Sequence, residues 1–206
     1  MSNAITLYSF PLSGHAHRVR LFASLAGINH EVVDVDLAKG EQSGADFRAI
    51  NPFGQVPAMR DGETVLADSN AILLYLARKY APDWYSDDIE TQAHIQRFLS
   101  VAAGPIAYGP AAARLVNVFG AGLDKAQAQS VAEWVFERLD AHLEGREWVA
   151  TDRPSIADIA LYSYTAHAPE GDVSLEAYPN IRAFLARIEA LPGFVGMPNT
   201  PVGLAA

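Results

Sequence analysis

Two short stretches of this chain carry residue types that suit the binding of an extended peptide. The first is residues 51–57, NPFGQVP, where a β-strand would open on Val56 and Pro57. Proline removes a ladder donor, so it belongs at a strand start, an edge or a bulge. If the peptide bond between these two residues is cis, Val56 can offer its own N–H and C=O to a ligand, as in strand addition.

The second stretch, Asp68 and Ser69, follows a predicted hairpin and stands where a helix should begin. A helix start leaves amide N–H groups without partners, and these two side chains add a carboxylate and a hydroxyl. The pair therefore suits a small peptide that carries both an amine and a carboxylate. The plainer interpretation is that Asp-Ser is only a good helix start.

Ser13 is the candidate for holding an anionic group. It stands between a strand predicted over residues 5–10 and a helix that begins near residue 13. A helix N-terminus supplies free N–H groups and partial positive charge, which favour an anion. Ser13 would equally serve as an ordinary N-cap. Tyr8 and Ser9 are alternatives for this role. Strand alternation, however, indicates core packing for Tyr8, and Ser9 lies too many residues before the start of the helix.

Two other constellations fit structural roles better. His15 and His17 diverge by about 200° around a helix, so we expect them not to chelate a metal together. Ser155 and Asp158 have the Ser-x-x-Asp spacing of a capping box before an apolar run. This spacing predicts a helix start rather than a nucleophile, and we predict no metal site.

The composition narrows the class of protein. The 206 residues include no cysteine, which excludes disulfides, thiolate metal sites and a catalytic cysteine. Any thiol chemistry must therefore use a sulfur atom that a ligand brings. A net charge of −9 argues against nucleic acid as a partner. Half of the residues are apolar, which is typical of a globular protein. No apolar run reaches the ~20 residues of a membrane span, and no signal-peptide pattern is present. We therefore expect a globular cytoplasmic protein.

The hydrophobic pattern predicts an N-terminal α/β domain over residues 1–80. Strands over residues 5–10 and 31–35 flank a helix, which makes a parallel crossover unit. A hairpin turning at Asp61-Gly62 then precedes a helix over residues 68–80. The predicted order is βαβ–ββα.

Residues 81–88, APDWYSDD, have the composition of a linker. Only helices are predicted beyond it, so residues 89–206 form an all-helical domain. The predicted helices cover residues 89–103, 125–143, 155–167 and 178–191.

With NPFGQVP before the third strand and Asp-Ser opening the third helix, the chain resembles the cytosolic glutathione transferase family. LYSFPLSGHAHRVRL, residues 7–21, is similar to that family's first strand and helix, and DRPSIADIALYSY, residues 152–164, to the capping-box helix of its helical domain. The resemblance covers nearly the whole chain and assigns no subclass. It implies an α/β plus all-α architecture with a thioredoxin-like N-terminal domain, a glutathione site on that domain, and a homodimer.

The resemblance also implies roles for single residues. In serine-type members the hydroxyl that matches Ser13 donates a hydrogen bond to the glutathione sulfur, although some branches use a tyrosine, which keeps Tyr8 open. The pair that matches Asp68 and Ser69 binds the γ-glutamyl carboxylate and amine. For the position of Gln42, Lys39 in the same loop is a basic alternative. The residues expected to bind glutathione are Gln42, Gln55, Val56, Pro57, Asp68 and Ser69.

The electrophile would occupy a pocket formed by the Ser13 loop and the first long helix of the second domain. Residues 104–115, GPIAYGPAAARL, are small and apolar with one tyrosine and one arginine, a composition that would also suit helix packing. The candidate pocket residues are Leu12, Tyr108, Ala111 and Arg114.

The expected activity is a glutathione transferase, in detoxification, whose bound thiolate attacks a small hydrophobic electrophile. A glutathione-dependent peroxidase or disulfide reductase would use the same thiolate and stays an alternative. A non-catalytic ligand-binding or protein-interaction module that kept the fold is the alternative from another class.

Overall fold

The computed structural model describes residues 4–205, which form two compact units. The N-terminal unit contains the chain up to Pro82 together with Pro192–Met197. The helical unit contains Asp83–Leu191 and the chain from Pro198 onward. The outermost residues of the expected domains, 1–3 and 206, lie outside the described part of the chain.

Residues 192–197 were expected in the helical domain, whereas the structure groups Pro192–Met197 with the N-terminal unit. The first long helix of the N-terminal unit holds this segment through two side chains. Ser24 Oγ donates to the main-chain oxygen of Gly193 at 2.7 Å. The Nε2 atom of His17 lies 2.8 Å from the main-chain oxygen of Val195.

Four strands form one mixed sheet in the N-terminal unit, in the order β2-β1-β3-β4. Strands β1 and β2 are parallel, whereas β1–β3 and β3–β4 are antiparallel. The predicted parallel pair and hairpin are thus confirmed. The strands are β1 Ile5–Ser9, β2 His30–Asp34, β3 Ala58–Asp61 and β4 Thr64–Ala67.

Three helices accompany this sheet, namely α1 Gly14–Leu25, α2 Ala45–Ile50 and α3 Ser69–Tyr80. Helices α1 and α3 pack against each other and against the sheet. Helix α2 contributes Phe47, whose ring meets the ring of Tyr8 edge-on at 6.2 Å. Because side chains alternate along a strand, Leu7 faces the other side of β1 from Tyr8 and is buried there. Tyr8 therefore packs in the apolar cluster around Phe47.

The helical unit is built from five α-helices and one π-helical segment among the described residues. The segment Ala107–Ala111 and the helix after it are absent from the prediction, because the sequence Gly109-Pro110 favours a break. Gly109 permits its close approach to another helix, since a Cβ there would lie 2.8 Å from Ala132 N. The helices are α4 Ile89–Ala103, α5 Ala112–Phe119, α6 Lys125–Leu143, α7 Ile156–Ala166 and α8 Pro179–Glu189.

Two buried polar groups organise the interior of the helical unit. Asp158 closes the predicted capping box, since it accepts hydrogen bonds from Ser155 N at 2.8 Å and Val149 N at 2.9 Å. Burial raises the pKa of Asp158 to about 6 even so. The second group is the ion pair of Arg114 and Glu170, whose side chains are 1% and 2% exposed.

Within residues 4–205, no helix combines the length and the apolar character that crossing a membrane requires.

Candidate functional site

A cavity of about 400 Å³ lies in the N-terminal unit where the entry to β3 meets the start of α3. This volume suits a small peptide. Segments that are distant in sequence form its wall, which brings the two predicted binding stretches together. The lining residues are His15, Asn51, Phe53, Gln55, Val56, Pro57, Ala67, Asp68 and Ser69.

The entry to β3 offers an unpaired main chain to this cavity. The peptide bond between Val56 and Pro57 is cis. Strand β3 begins only at Ala58, and within residues 4–205 neither the N–H nor the C=O of Val56 makes a hydrogen bond. Both groups can therefore pair with an extended ligand.

The loop before Val56 is held by its own side chains. Asn51 donates through Nδ2 to the main-chain oxygen of Gln55 at 2.7 Å and accepts from Phe53 N at 3.1 Å. Gly54 has φ +62°, and a Cβ there would lie 2.8 Å from the main-chain oxygen of Gln42. These contacts fix the shape of the NPFGQVP loop, so glycine is required at position 54.

The start of α3 presents Asp68 and Ser69. Asp68 has φ 71°, and its Oδ1 caps the helix by accepting from Asn70 N at 2.9 Å and Ala71 N at 3.0 Å. Its second oxygen makes no hydrogen bond within residues 4–205. Asp68 is exposed, whereas Ser69 is buried at the cavity wall. The helix start thus combines a carboxylate oxygen with the partial positive charge of an N-terminus.

Arg18 of α1 places a buried cation behind this helix start. Its side chain is 1% exposed, and Nη1 donates to Ser69 Oγ at 2.9 Å and to Asn70 Oδ1 at 2.8 Å. In a low-dielectric surrounding such a charge favours an anion in the adjoining cavity more strongly than it would in water. Arg18 therefore supports the carboxylate subsite without lining the cavity.

His15, three residues before Arg18 on the same helix, lines the cavity. Its Nδ1 atom lies 3.5 Å from Ser69 Oγ. Burial, followed by the charge of Arg18, lowers the pKa of His15 to about 3, although the carboxylate of Asp68 acts in the opposite direction. The imidazole is therefore neutral at physiological pH. His17 lies on another face and contacts Val195 instead.

Ser13 is the N-cap of α1, where its Oγ accepts from Ala16 N at 3.2 Å. Capping uses a lone pair of the hydroxyl and leaves its hydrogen for donation. Ser13 is not among the residues that line the cavity. The two competing hydroxyls occupy different surroundings: Tyr8 packs beside Phe47, and Ser9 is buried without a hydrogen-bond partner for its Oγ within residues 4–205.

Gln42 and Lys39 lie outside the cavity wall. Gln42 belongs to the short 3-10 helix Glu41–Ser43, and its Oε1 is buried without a partner among the described residues. Its main chain nevertheless packs against Gly54 of the binding loop. Lys39 is bound to Asp36 by a 2.8 Å ion pair on the surface.

The candidate electrophile residues fall into both units. Leu12 is half-buried in the N-terminal unit, and Tyr108 is 72% exposed in the helical unit. Ala111 and Arg114 are buried in the helical unit, where the guanidinium of Arg114 is paired with Glu170. The charge of Arg114 is therefore engaged within the helical unit, and its assignment as the polar handle of a pocket stays a prediction.

Three polar residues around the cavity were not among the predicted binding residues. Arg18 and His15 meet Ser69 across 51 and 54 residues of sequence, a separation that no local motif reports. Asn51 lies inside the predicted motif, but its role in closing the loop needed the fold. A signal for Arg18 existed, because it lies four residues before the apolar Phe22 and so shares a helix face with it.

Comparisons with known proteins agree with this architecture. Residues 3–78 match the family model described as glutathione S-transferase, N-terminal domain, and residues 121–192 match that of the C-terminal domain. Glutathione S-transferase 3 of Zea mays is 33% identical over 206 aligned residues, which cover 92% of this chain and 91% of that protein.

Solved structures superpose over nearly the whole chain. A possible glutathione S-transferase from Rhodopseudomonas palustris has a TM-score of 0.81 at 32% identity, covering 97% of this chain and all (100%) of that one. The glutathione S-transferase from Pseudomonas fluorescens has a TM-score of 0.89 at 26% identity, with coverage of 96% and 100%.

A four-stranded mixed sheet with three helices, followed by an all-helical unit, defines a two-domain protein of the thioredoxin-like type. The predicted fold class is confirmed. The chain belongs to the glutathione S-transferase family. Glutathione is the co-substrate of that family.

Proposed function

We propose that this chain is a glutathione transferase, which binds glutathione, holds its sulfur as a thiolate and directs that thiolate at a small hydrophobic electrophile. The observation that carries the proposal is the cavity in which the main chain of Val56 meets Asp68 and Ser69. These groups come from two sequence stretches that were predicted separately to bind one extended peptide.

The chemistry of the wall suggests how the tripeptide is oriented. The free oxygen of Asp68 suits the γ-glutamyl amine, and the start of α3, with Arg18 behind it, suits the γ-glutamyl carboxylate. The N–H and C=O of Val56 then pair with the cysteinyl main chain. Gln55 lies at the glycyl end, where Gln42 would be a further contact.

Ser13 is proposed to stabilise the thiolate. Making a thiol of pKa ~8.5 mostly ionised at neutral pH requires about two pKa units, or about 2.7 kcal/mol. A hydrogen bond to a charged group supplies roughly 1.5–3 kcal/mol, and a helix N-terminus adds about 0.3–1 kcal/mol. Because capping leaves the Ser13 hydrogen for donation, these two contributions suffice without a metal or a general base.

In the reaction, the thiol proton leaves to solvent when glutathione binds. The sulfur lone pair then forms the carbon–sulfur bond while the leaving group departs with its bonding electrons. The chain contains no cysteine, so the reacting sulfur belongs to glutathione. Leu12 and Tyr108 stay our candidates for contacts with the electrophile, and a cytoplasmic homodimer stays a prediction.

Titration calorimetry with reduced glutathione tests the proposal. We expect a dissociation constant at or below the millimolar range, and the absence of binding would refute the enzyme and favour an interaction module. Turnover with an aryl halide should exceed turnover with a hydroperoxide or a disulfide at matched concentrations. The opposite ranking would assign the same thiolate to a peroxidase or reductase.

A further inference from the structure

Ser69 Oγ lies between a permanent donor and a neutral ring. Arg18 has only N–H groups to offer, so the hydroxyl oxygen of Ser69 must accept in their 2.9 Å contact. The hydroxyl hydrogen is thus directed elsewhere, and within residues 4–205 the side chain of Ser69 also contacts His15, whose Nδ1 atom lies 3.5 Å from Oγ. Arg18, Ser69 and His15 form a directed row of hydrogen-bonding groups.

This row determines which nitrogen of His15 carries the hydrogen. Because the ring is neutral, one nitrogen accepts and the other donates. If Nδ1 accepts from Ser69, the hydrogen lies on Nε2, since the bond made by one ring nitrogen sets the state of the other. His15 forms part of the cavity wall, so this arrangement supplies a neutral N–H donor there.

We propose that His15 is a specificity-determining residue of the glutathione site, whose Nε2–H donates to the α-carboxylate of the γ-glutamyl group. This inference rests on the proposed function. Ser69 fixes the tautomer of His15, and the guanidinium of Arg18 fixes the orientation of Ser69. Through the neutral groups of Ser69 and His15, the charge of Arg18 thus favours a carboxylate in the cavity. The contact of Asp68 with the ligand amine complements this carboxylate contact.

A thermodynamic cycle between protein and ligand tests this role. The dissociation constants of wild type and His15→Phe are measured for glutathione and for an analogue without the α-carboxylate, γ-aminobutyryl-cysteinylglycine. Phenylalanine keeps the ring and removes both nitrogens. We expect His15→Phe to weaken glutathione binding about tenfold and to leave the analogue's affinity unchanged within twofold, because the lost bond involves a charged group. Equal weakening of both ligands would mean a merely structural role and overturn the inference.

A second ligand and a second variant serve as controls. Glutaryl-cysteinylglycine lacks the amine but keeps the chain length, so His15→Phe should weaken its binding by the same factor as that of glutathione. His15→Gln, whose amide can donate near the position of Nε2, should recover a large part of the affinity for glutathione. No recovery, or no effect on the amine-free ligand, would count against the carboxylate contact.

A measurement on the unaltered protein keeps the inference testable if His15→Phe does not fold. Nitrogen-15 spectra of the labelled imidazoles, with His15 assigned by its loss in His15→Gln, should show the Nε2–H tautomer. An Nδ1–H tautomer or an imidazolium at pH 7 would contradict the proposal. If wild-type protein does not bind glutathione, the proposed function fails as well; if it binds and the cycle shows no coupling, only the role of His15 fails.

Discussion

The two oxygens of Asp68 have separable tasks, which allows a sharp prediction for Asp68→Asn. Oδ1 caps α3 through Asn70 N and Ala71 N, and the other oxygen is left for a ligand amine. Asparagine is as good an N-cap as aspartate, because its carbonyl oxygen accepts the same bonds. The substitution therefore removes the charge and keeps the cap.

The expected change in affinity follows from the class of hydrogen bond. A bond to a charged group contributes roughly 1.5–3 kcal/mol and a neutral one about 0.5–1.5 kcal/mol, so the difference is about 1.4 kcal/mol, or tenfold in the dissociation constant. The exposure of Asp68 does not favour a larger value. Unfolding free energy should fall by less than about 1 kcal/mol, the worth of a charge at a helix N-terminus.

Calorimetry with glutathione and urea denaturation of the same samples measure both quantities. Asp68→Ala is the matched control, since it removes both the charge and the cap. It should weaken glutathione binding and also lower the unfolding free energy by about 1 kcal/mol. Asp68→Asn should show no weakening toward the amine-free analogue. Wild-type affinity of Asp68→Asn for glutathione would refute the assignment of Asp68 to the amine.

The helical unit allows two predictions about stability, both measured by urea denaturation. Asp158→Ala leaves the buried N–H groups of Val149 and Ser155 without acceptors and should lower the unfolding free energy by about 2–5 kcal/mol; a loss below 1 kcal/mol would contradict the capping role. Arg114→Met leaves the carboxylate of Glu170 buried without a cation, at a cost of about 3–5 kcal/mol. Burial works to raise the pKa of Glu170, but its hydrogen bonds and the charge of Arg114 outweigh burial and lower it. The stabilisation by the ion pair is therefore present above the pKa of Glu170 in the unfolded chain and is lost as pH falls through its pKa in the folded protein. The loss of unfolding free energy in Arg114→Met should accordingly be smaller at acid pH. A loss that does not change with pH would contradict the ion pair.

Helix bounds could be predicted well where caps and periodicity agree. The predicted helices over 89–103 and 125–143 match α4 and α6 to the residue, because Asp88 and Asp124 cap them and accept from Thr91 N and Gln127 N. Local chemistry is sufficient at such positions.

The bounds of elements that depend on tertiary packing could not be predicted from local sequence. The sequence Gly109-Pro110 indicates a break, yet the chain continues through a π-helical segment into α5, since Gly109 lets it approach Ala132 closely. Strand β3 was expected to open on Val56 and Pro57 but begins at Ala58.

The residues of the candidate site likewise fall into two groups, those that local motifs predict and those that the tertiary fold places. Gln55, Val56, Pro57, Asp68 and Ser69 were predicted because local motifs carry their chemistry, and all five line one cavity. His15 lines that cavity and Arg18 lies behind it only because α1 packs on α3, a contact set by the tertiary fold.

The central claim is that Ser13 holds the glutathione sulfur as a thiolate, and ultraviolet titration of the bound thiol tests it most directly. The wild-type complex should show a thiol pKa about two units below the usual ~8.5. Ser13→Ala should raise that pKa by about one to two units, corresponding to the loss of a hydrogen bond to a charged group. Ser13→Thr, which keeps a hydroxyl at the helix start, should retain most of the shift. An unchanged thiol pKa in Ser13→Ala would show that Ser13 only caps α1.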